Sequence, residues 1–98
     1  MTYFFHPAAE AEHLETLAFY LSRQTSGLPE AYLADFEAAM AHVVKTPLRY
    51  RIERKPDIRR YALARFPYAV IYRVKNGDVH ILAVAHKRRR PDYWTGRL

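Results

Sequence analysis

The chain contains no cysteine, which excludes disulfides, thiol nucleophiles and cysteine-ligated metals together. It has no apolar run approaching the ~20 residues of a membrane-spanning helix, and its opening stretch, MTYFFHPAAEAE, carries no basic flank. A soluble, cytoplasmic protein with no membrane partner is expected. There is no internal repeat and no low-complexity segment. Carboxylates are scarce in the second half, where only Glu53, Asp57, Asp78 and Asp92 follow residue 44. Asp57 and Asp92 make no acid–base pair of carboxylates, and His6, His13 and His42 fall at no metal-ligand spacing. No metal and no cofactor are expected.

Half of the 98 residues are hydrophobic and 14% are aromatic, a globular composition rather than a disordered one. A chain of this length has room for one domain, residues 1–98, burying ~65% of the surface its unfolded form exposes. Charge is divided along it. Residues 1–44 hold Arg23 against six carboxylates, a net −5, whereas residues 45–98 hold fifteen Lys and Arg against four, a net +11. Such a field attracts polyanions, whether nucleic acid or an acidic protein segment.

The organising stretch is the last third. Tyr68, Val70, Tyr72 and Val74 alternate with Ala69, Ile71 and Arg73, the period-two pattern of a strand with unlike faces. Asn76-Gly77 is a two-residue type I′ hairpin signal, and a second β-rich run, Val79 to Ala85, follows it. With Lys75 facing Asp78, the turn predicts Arg73 opposite His80, Ile71 opposite Leu82 and Ala69 opposite Val84. One face is then Tyr68, Val70, Tyr72, Val74, Val79, Ile81, Ala83 and Ala85, apolar enough to receive helices. Beyond His86 the strand gives way to a basic, aromatic rim, KRRRPDYW.

Upstream, Tyr3 to Phe5 is a short β-prone run stopped by His6-Pro7, and proline suits a first helical position. Ala11, Leu14, Leu17, Ala18 and Leu21 recur at helical spacing and predict the core stripe of a helix ending near Arg23. After Gly27, Pro29 opens a second helix with the stripe Tyr32, Leu33, Phe36, Met40, Val43 and Val44, closed at Thr46-Pro47. Residues 45–60, with two prolines and seven basic residues, predict a loop that crosses back to the sheet and becomes a strand by Ile58. Tyr61 to Arg65 alternate, and Phe66-Pro67 turns into the hairpin. The order is β-α-α-β-β-β: an α+β sandwich of two layers, with an N-terminal helical hairpin packed on a small antiparallel sheet.

This order, the IRR from Ile58, FPYAVIYRV, the turn, VHILAVAH and the closing RRRPDYW resemble the RelE/ParE toxin superfamily of bacterial type II toxin–antitoxin systems, over about His6 to Arg97. The resemblance implies a small basic toxin neutralised by an acidic antitoxin from a neighbouring gene. One branch of the superfamily cleaves mRNA on the ribosome; the other poisons DNA gyrase.

Metal-free RNA cleavage needs a base, an acid and cations at the phosphate. The ribonuclease branch is similar in carrying an arginine three residues before a tyrosine on the strand ahead of the last turn. Here that register lands on Ala69, three before Tyr72. Arg73 shares the face but lies four residues, ~13 Å, away along the strand. If the chain is a ribonuclease, His86, Arg88 and Tyr93 are its candidate catalytic residues. Each also has a structural reading: His86 as a hydrogen-bonded strand end, Arg88 as electrostatic surface, and Tyr93 with Trp94 as a clamp holding the C-terminus on the core. The bare Ala69 position, the IRR and the basic tail resemble the ParE branch more closely. The expected order is therefore a gyrase inhibitor, which is a binding function, then a ribosome-dependent endoribonuclease, then a non-toxic nucleic-acid-binding module. Target or antitoxin contacts are expected from Arg59, Arg60, Arg65, Arg73, Lys87, Arg88, Arg89, Arg90, Trp94 and Arg97.

Overall fold

A computed structural model describes residues 1–98. Strand β1 (Tyr3–Phe5) leads into helices α1 (Pro7–Ser22) and α2 (Leu28–Lys45), followed by strands β2 (Ile52–Arg54), β3 (Ile58–Ala62), β4 (Tyr68–Lys75) and β5 (Asp78–His86) and a 3-10 turn at Thr95–Arg97. Pro7 opens α1 behind His6, whose ring nitrogen accepts from the Ala8 N–H at 3.0 Å and so satisfies one of the unpaired donors of the first turn. Gly27, at φ 84°, makes the left-handed link between the helices.

The sheet has five strands in the order β1-β5-β4-β3-β2 and is mixed: β1 runs parallel to β5, and every other pairing is antiparallel. Two strands therefore extend the expected meander. Residues 45–60 are not loop throughout, because Ile52–Arg54 pairs with β3 as an edge strand. Three residues between turns are too short to show a period. No helix is long and apolar enough to cross a membrane.

The β4–β5 turn has φ 53° at Asn76 and 79° at Gly77, both positive, as a type I′ turn requires. The predicted register holds from Lys75–Asp78 to Arg73–His80 and continues to Tyr72–Ile81, then slips. Leu82 is the extra residue of a β-bulge, so Ile71 faces Ala83 and Ala69 faces Ala85, in place of the predicted Leu82 and Val84. The bulge reverses the inward set. Val84 joins Val70, Tyr72, Val79 and Ile81 beneath the helices, whereas Ala83 and Ala85 turn to the opposite face. That face is also buried. Trp94, 2% exposed, packs there with Ile58, Ile71 and Leu82, so the C-terminal strap forms a partial third layer. At Gly77 a side chain would meet no neighbour, which leaves backbone strain as the sole penalty. Gly77→Val should lower stability by more than ~1 kcal/mol because a β-branched residue resists φ > 0, while Gly77→Asn should lose less. Thermal melts of the two variants compare them directly.

α2 buries its predicted stripe, with Tyr32, Phe36, Met40 and Val43 essentially inaccessible. α1 does not. Of its predicted stripe only Leu17 packs against the core; Leu14 and Leu21 are 56% and 61% exposed, and Ala11 and Ala18 are exposed beside them. The buried side is Ala9, Thr16 and the partly polar pair Glu12 and His13. Polar groups can occupy a core face only if they are satisfied there, and these are. The His13 ring lies within 2.8 Å of the Tyr32 hydroxyl and packs against Phe36, with Phe5 stacked on it. Burial lowers the His13 pKa from 6.5, against the opposing pull of Glu10 and Glu37. The unfolded chain thus takes up a proton that the folded chain resists, so stability is full above 6.5 and declines as pH falls from there toward the folded value. The melting midpoint should drop as pH falls below 6.5, and His13→Phe should flatten that part of the profile.

Candidate basic interface

The rim is built where β5 ends. The Lys87 N–H donates to the Pro67 carbonyl at 2.9 Å, which ties the strand end to the loop before β4. The chain then turns, with the Arg89 N–H on the His86 carbonyl at 2.9 Å and the Arg88 N–H on His86 Nδ1 at 3.0 Å. Asp92, at φ 62°, reverses direction and sends Tyr93 and Trp94 back under the sheet. Lys87, Arg88, Arg89 and Arg90 are all exposed.

Two concavities flank this turn. One, of about 180 Å³, is lined by Arg60, Lys87, Arg89 and Arg90 with Glu53 and Asp92. The other, of about 490 Å³, is lined by Arg60, Arg65 and Lys87 with Phe66, Pro67 and Tyr68. Arg60 and Lys87 belong to both, so the cations form one continuous surface. None of Arg60, Arg65, Lys87, Arg88, Arg89 or Arg90 is ion-paired; the pairs in the molecule are Arg51–Glu53, Arg73–Asp57 and Arg97–Glu12. The topology explains Arg60. On β3 it points to the face opposite the helices, alternating with Arg59, which faces the helices and donates to the Tyr50 carbonyl at 2.7 Å.

The other sequence-derived candidates lie elsewhere. Arg73 sits toward the β4–β5 turn, 3.3 Å from Asp57. Trp94 is in the core. Arg97 is held by Glu12 through two parallel hydrogen bonds of 2.9 and 3.0 Å. His86 and Tyr93 line the smaller concavity, but the Tyr93 hydroxyl donates to Glu12 Oε2 at 2.7 Å, and burial together with that carboxylate pushes its pKa well above the usual phenol value. The Tyr93 ring lies under the Arg89 guanidinium, 3.8 Å from its centroid. No three His, Asp or Glu side chains converge as a metal site.

Sequence reasoning missed the role of Glu12. β1 stops at Phe5, which leaves the outer edge of β5 open at Leu82 to Val84. Glu12 Oε1 accepts the Val84 N–H at 3.0 Å and Arg97 donates to the Leu82 carbonyl at 3.0 Å, so one ion pair satisfies the backbone groups at the bulge. Burial alone would raise the Glu12 pKa, but Arg97, Tyr93 and the Val84 N–H bring it below 4.5. The carboxylate is charged and fully engaged. Asp35 was missed likewise: buried on α2, it accepts the Arg65 and Phe66 N–H groups at 2.9 Å and fixes the loop that carries Arg65. Neither acid stands in a motif; each is one Glu or Asp at an ordinary helical position.

A family model described as ParE toxin of type II toxin-antitoxin system, parDE, matches residues 3–91. Among solved structures, the chromosomal ParDE TA system from P. aeruginosa is similar to this chain with a TM-score of 0.74, 17% identity, and coverage of 88% of this chain and 95% of that one. At that identity the likeness concerns the fold. No curated protein sequence matches the chain.

Proposed function

Since the chain belongs to the ParE toxin family of type II toxin–antitoxin systems, we propose that it inhibits DNA gyrase, blocks replication, and is neutralised in the cytoplasm by a cognate acidic antitoxin. The observation that carries this reading is the unpaired basic surface of Arg60, Arg65 and Lys87 to Arg90, which stands beside no assembled acid–base pair. His86 has one ring nitrogen occupied by the Arg88 N–H, and the Tyr93 proton is committed to Glu12. Ala69, where a ribonuclease of the superfamily would carry its arginine, is 1% exposed, so the position supplies neither a cation nor an opening for a phosphate. A rigid body with an exposed charged face suits binding better than cleavage.

An acidic antitoxin segment has two surfaces to engage. Its carboxylates would meet the rim, and its apolar anchors would meet the exposed face of α1 around Leu14 and Leu21. Between α1 and the rim lies a concavity of about 220 Å³, lined by Glu15 and Phe19 on α1 and by His86 and Arg89 on the rim, on the side of the helix away from Leu14 and Leu21. The purified chain should inhibit gyrase supercoiling, release the enzyme when antitoxin is added, and leave ribosome-bound message intact. Cleavage of that message between defined codons, with gyrase unaffected, would replace this reading by the endoribonuclease one.

A further inference from the structure

We infer that the basic rim binds the phosphate backbone of duplex DNA directly, so that the toxin holds the DNA on which gyrase acts as well as the enzyme; this rests on the gyrase reading for its setting but not for its measurement. Three observations carry it. First, Arg60 and Lys87 are shared by two adjoining concavities, with Arg65 extending one and Arg89 and Arg90 the other. The cations are thus spread across the β3-β4-β5 end of the sheet, ~10 Å for three strands, wide enough to follow several successive phosphates rather than to enclose one anion. Second, they have no intramolecular carboxylate partners, so phosphate contact breaks no existing pair. Third, the aromatic rings near the rim are occupied. Tyr93 is covered by Arg89 and tied to Glu12, Trp94 is in the core beneath one face of the sheet, and on the other face the half-buried rings of Phe66 and Tyr68 pack on Tyr20 and Tyr32. Single-strand binders present free ring faces for base stacking; this surface presents charge, which fits a stacked duplex read only through its backbone.

The test is fluorescence anisotropy of the full chain with a labelled random-sequence duplex, its single strand and an RNA strand, without gyrase. Engagement of about four phosphates predicts a log–log salt slope of about −3 to −4, hence a loss of roughly 10²-fold over a fourfold rise in salt. The duplex should bind at least as well as either single strand. Arg60→Ala with Lys87→Ala should weaken duplex binding by more than ~10-fold and reduce the slope by about 2. Arg23→Ala removes a charge from the acidic half and should change nothing, and melting temperatures should be alike throughout. Absence of duplex binding at low salt while gyrase inhibition persists would overturn the inference and leave the gyrase reading standing. A flat salt response, preference for a single strand, equal weakening by Arg23→Ala, or rim variants that lose only antitoxin binding would overturn it too.

Discussion

Glu12→Ala should lower stability by about 3–5 kcal/mol, a fall of roughly 15–30 °C in the melting midpoint of a domain this size. The magnitude follows from what the carboxylate holds. Both partners of the Glu12–Arg97 pair are largely buried, with side chains 13% and 17% exposed, so removing one strands the other away from water. The same substitution orphans the Val84 N–H and the Tyr93 hydroxyl, each costing about 1–3 kcal/mol if left unmade, although partial rehydration will recover some of it. Arg97→Ala should approach the same cost, since it also frees the Leu82 carbonyl. The two effects should not add. Replacing both by leucine, which leaves no lone charge, should recover much of the loss.

Acid should mimic the substitution. The folded pKa of Glu12 is depressed below 4.5, so its contribution is complete above that value and is lost as pH falls through the folded value. A drop below 1 kcal/mol for Glu12→Ala, the range of exposed pairs, would mean that the C-terminal strap is held by Trp94 packing alone.

This clasp marks the limit of what the residues disclosed in advance. Pro7, Pro29 and Asn76-Gly77 act through backbone constraints confined to a few neighbouring residues, and all three features stand where they were expected. β4 was legible because eight residues keep one period. The outer half of β5 was not. Its bulge is satisfied by groups 72 and 15 residues away, Glu12 on Val84 and Arg97 on Leu82, and no local pattern encodes such a partner. α1 failed for a related reason: periodicity ranks faces by apolarity, yet the face carrying Glu12 and His13 is buried because each finds a partner across the core. Of the rim, the run from Lys87 to Arg90 could be read directly and Arg60 and Arg65 were expected as contacts beside it, whereas their joining it in one surface needed the strand order β5-β4-β3. The removal of Arg73, Arg97 and Trp94 from that surface depended on Asp57, Glu12 and the buried second face of the sheet.

Gyrase inhibition should decline by grades when the rim is neutralised one residue at a time. Arg60→Ala, Lys87→Ala and Arg90→Ala are each expected to raise the inhibitory concentration about two- to fivefold, the range of single exposed charge contacts, and the triple change should raise it roughly 10- to 100-fold with the melting midpoint nearly unmoved. His86→Ala should matter least. Its ring packs edge-on against Tyr68 with one nitrogen on the Arg88 N–H, so its loss loosens a turn without removing charge. An endoribonuclease predicts the reverse ranking, because loss of a single transition-state group costs ~10²-fold to 10³-fold in rate. Deleting Asp92 to Leu98, attractive as a test of the basic tail, cannot distinguish the two. It removes Trp94 from the core and Arg97 from Glu12, so the chain should lose its fold and every activity with it. The informative comparison is between His86→Ala and the rim variants at matched stability, assayed in parallel for supercoiling and for cleavage of ribosome-bound message. Loss of toxicity on the His86 change alone, together with loss of defined cleavage, would transfer the function from the charged surface to a catalytic site.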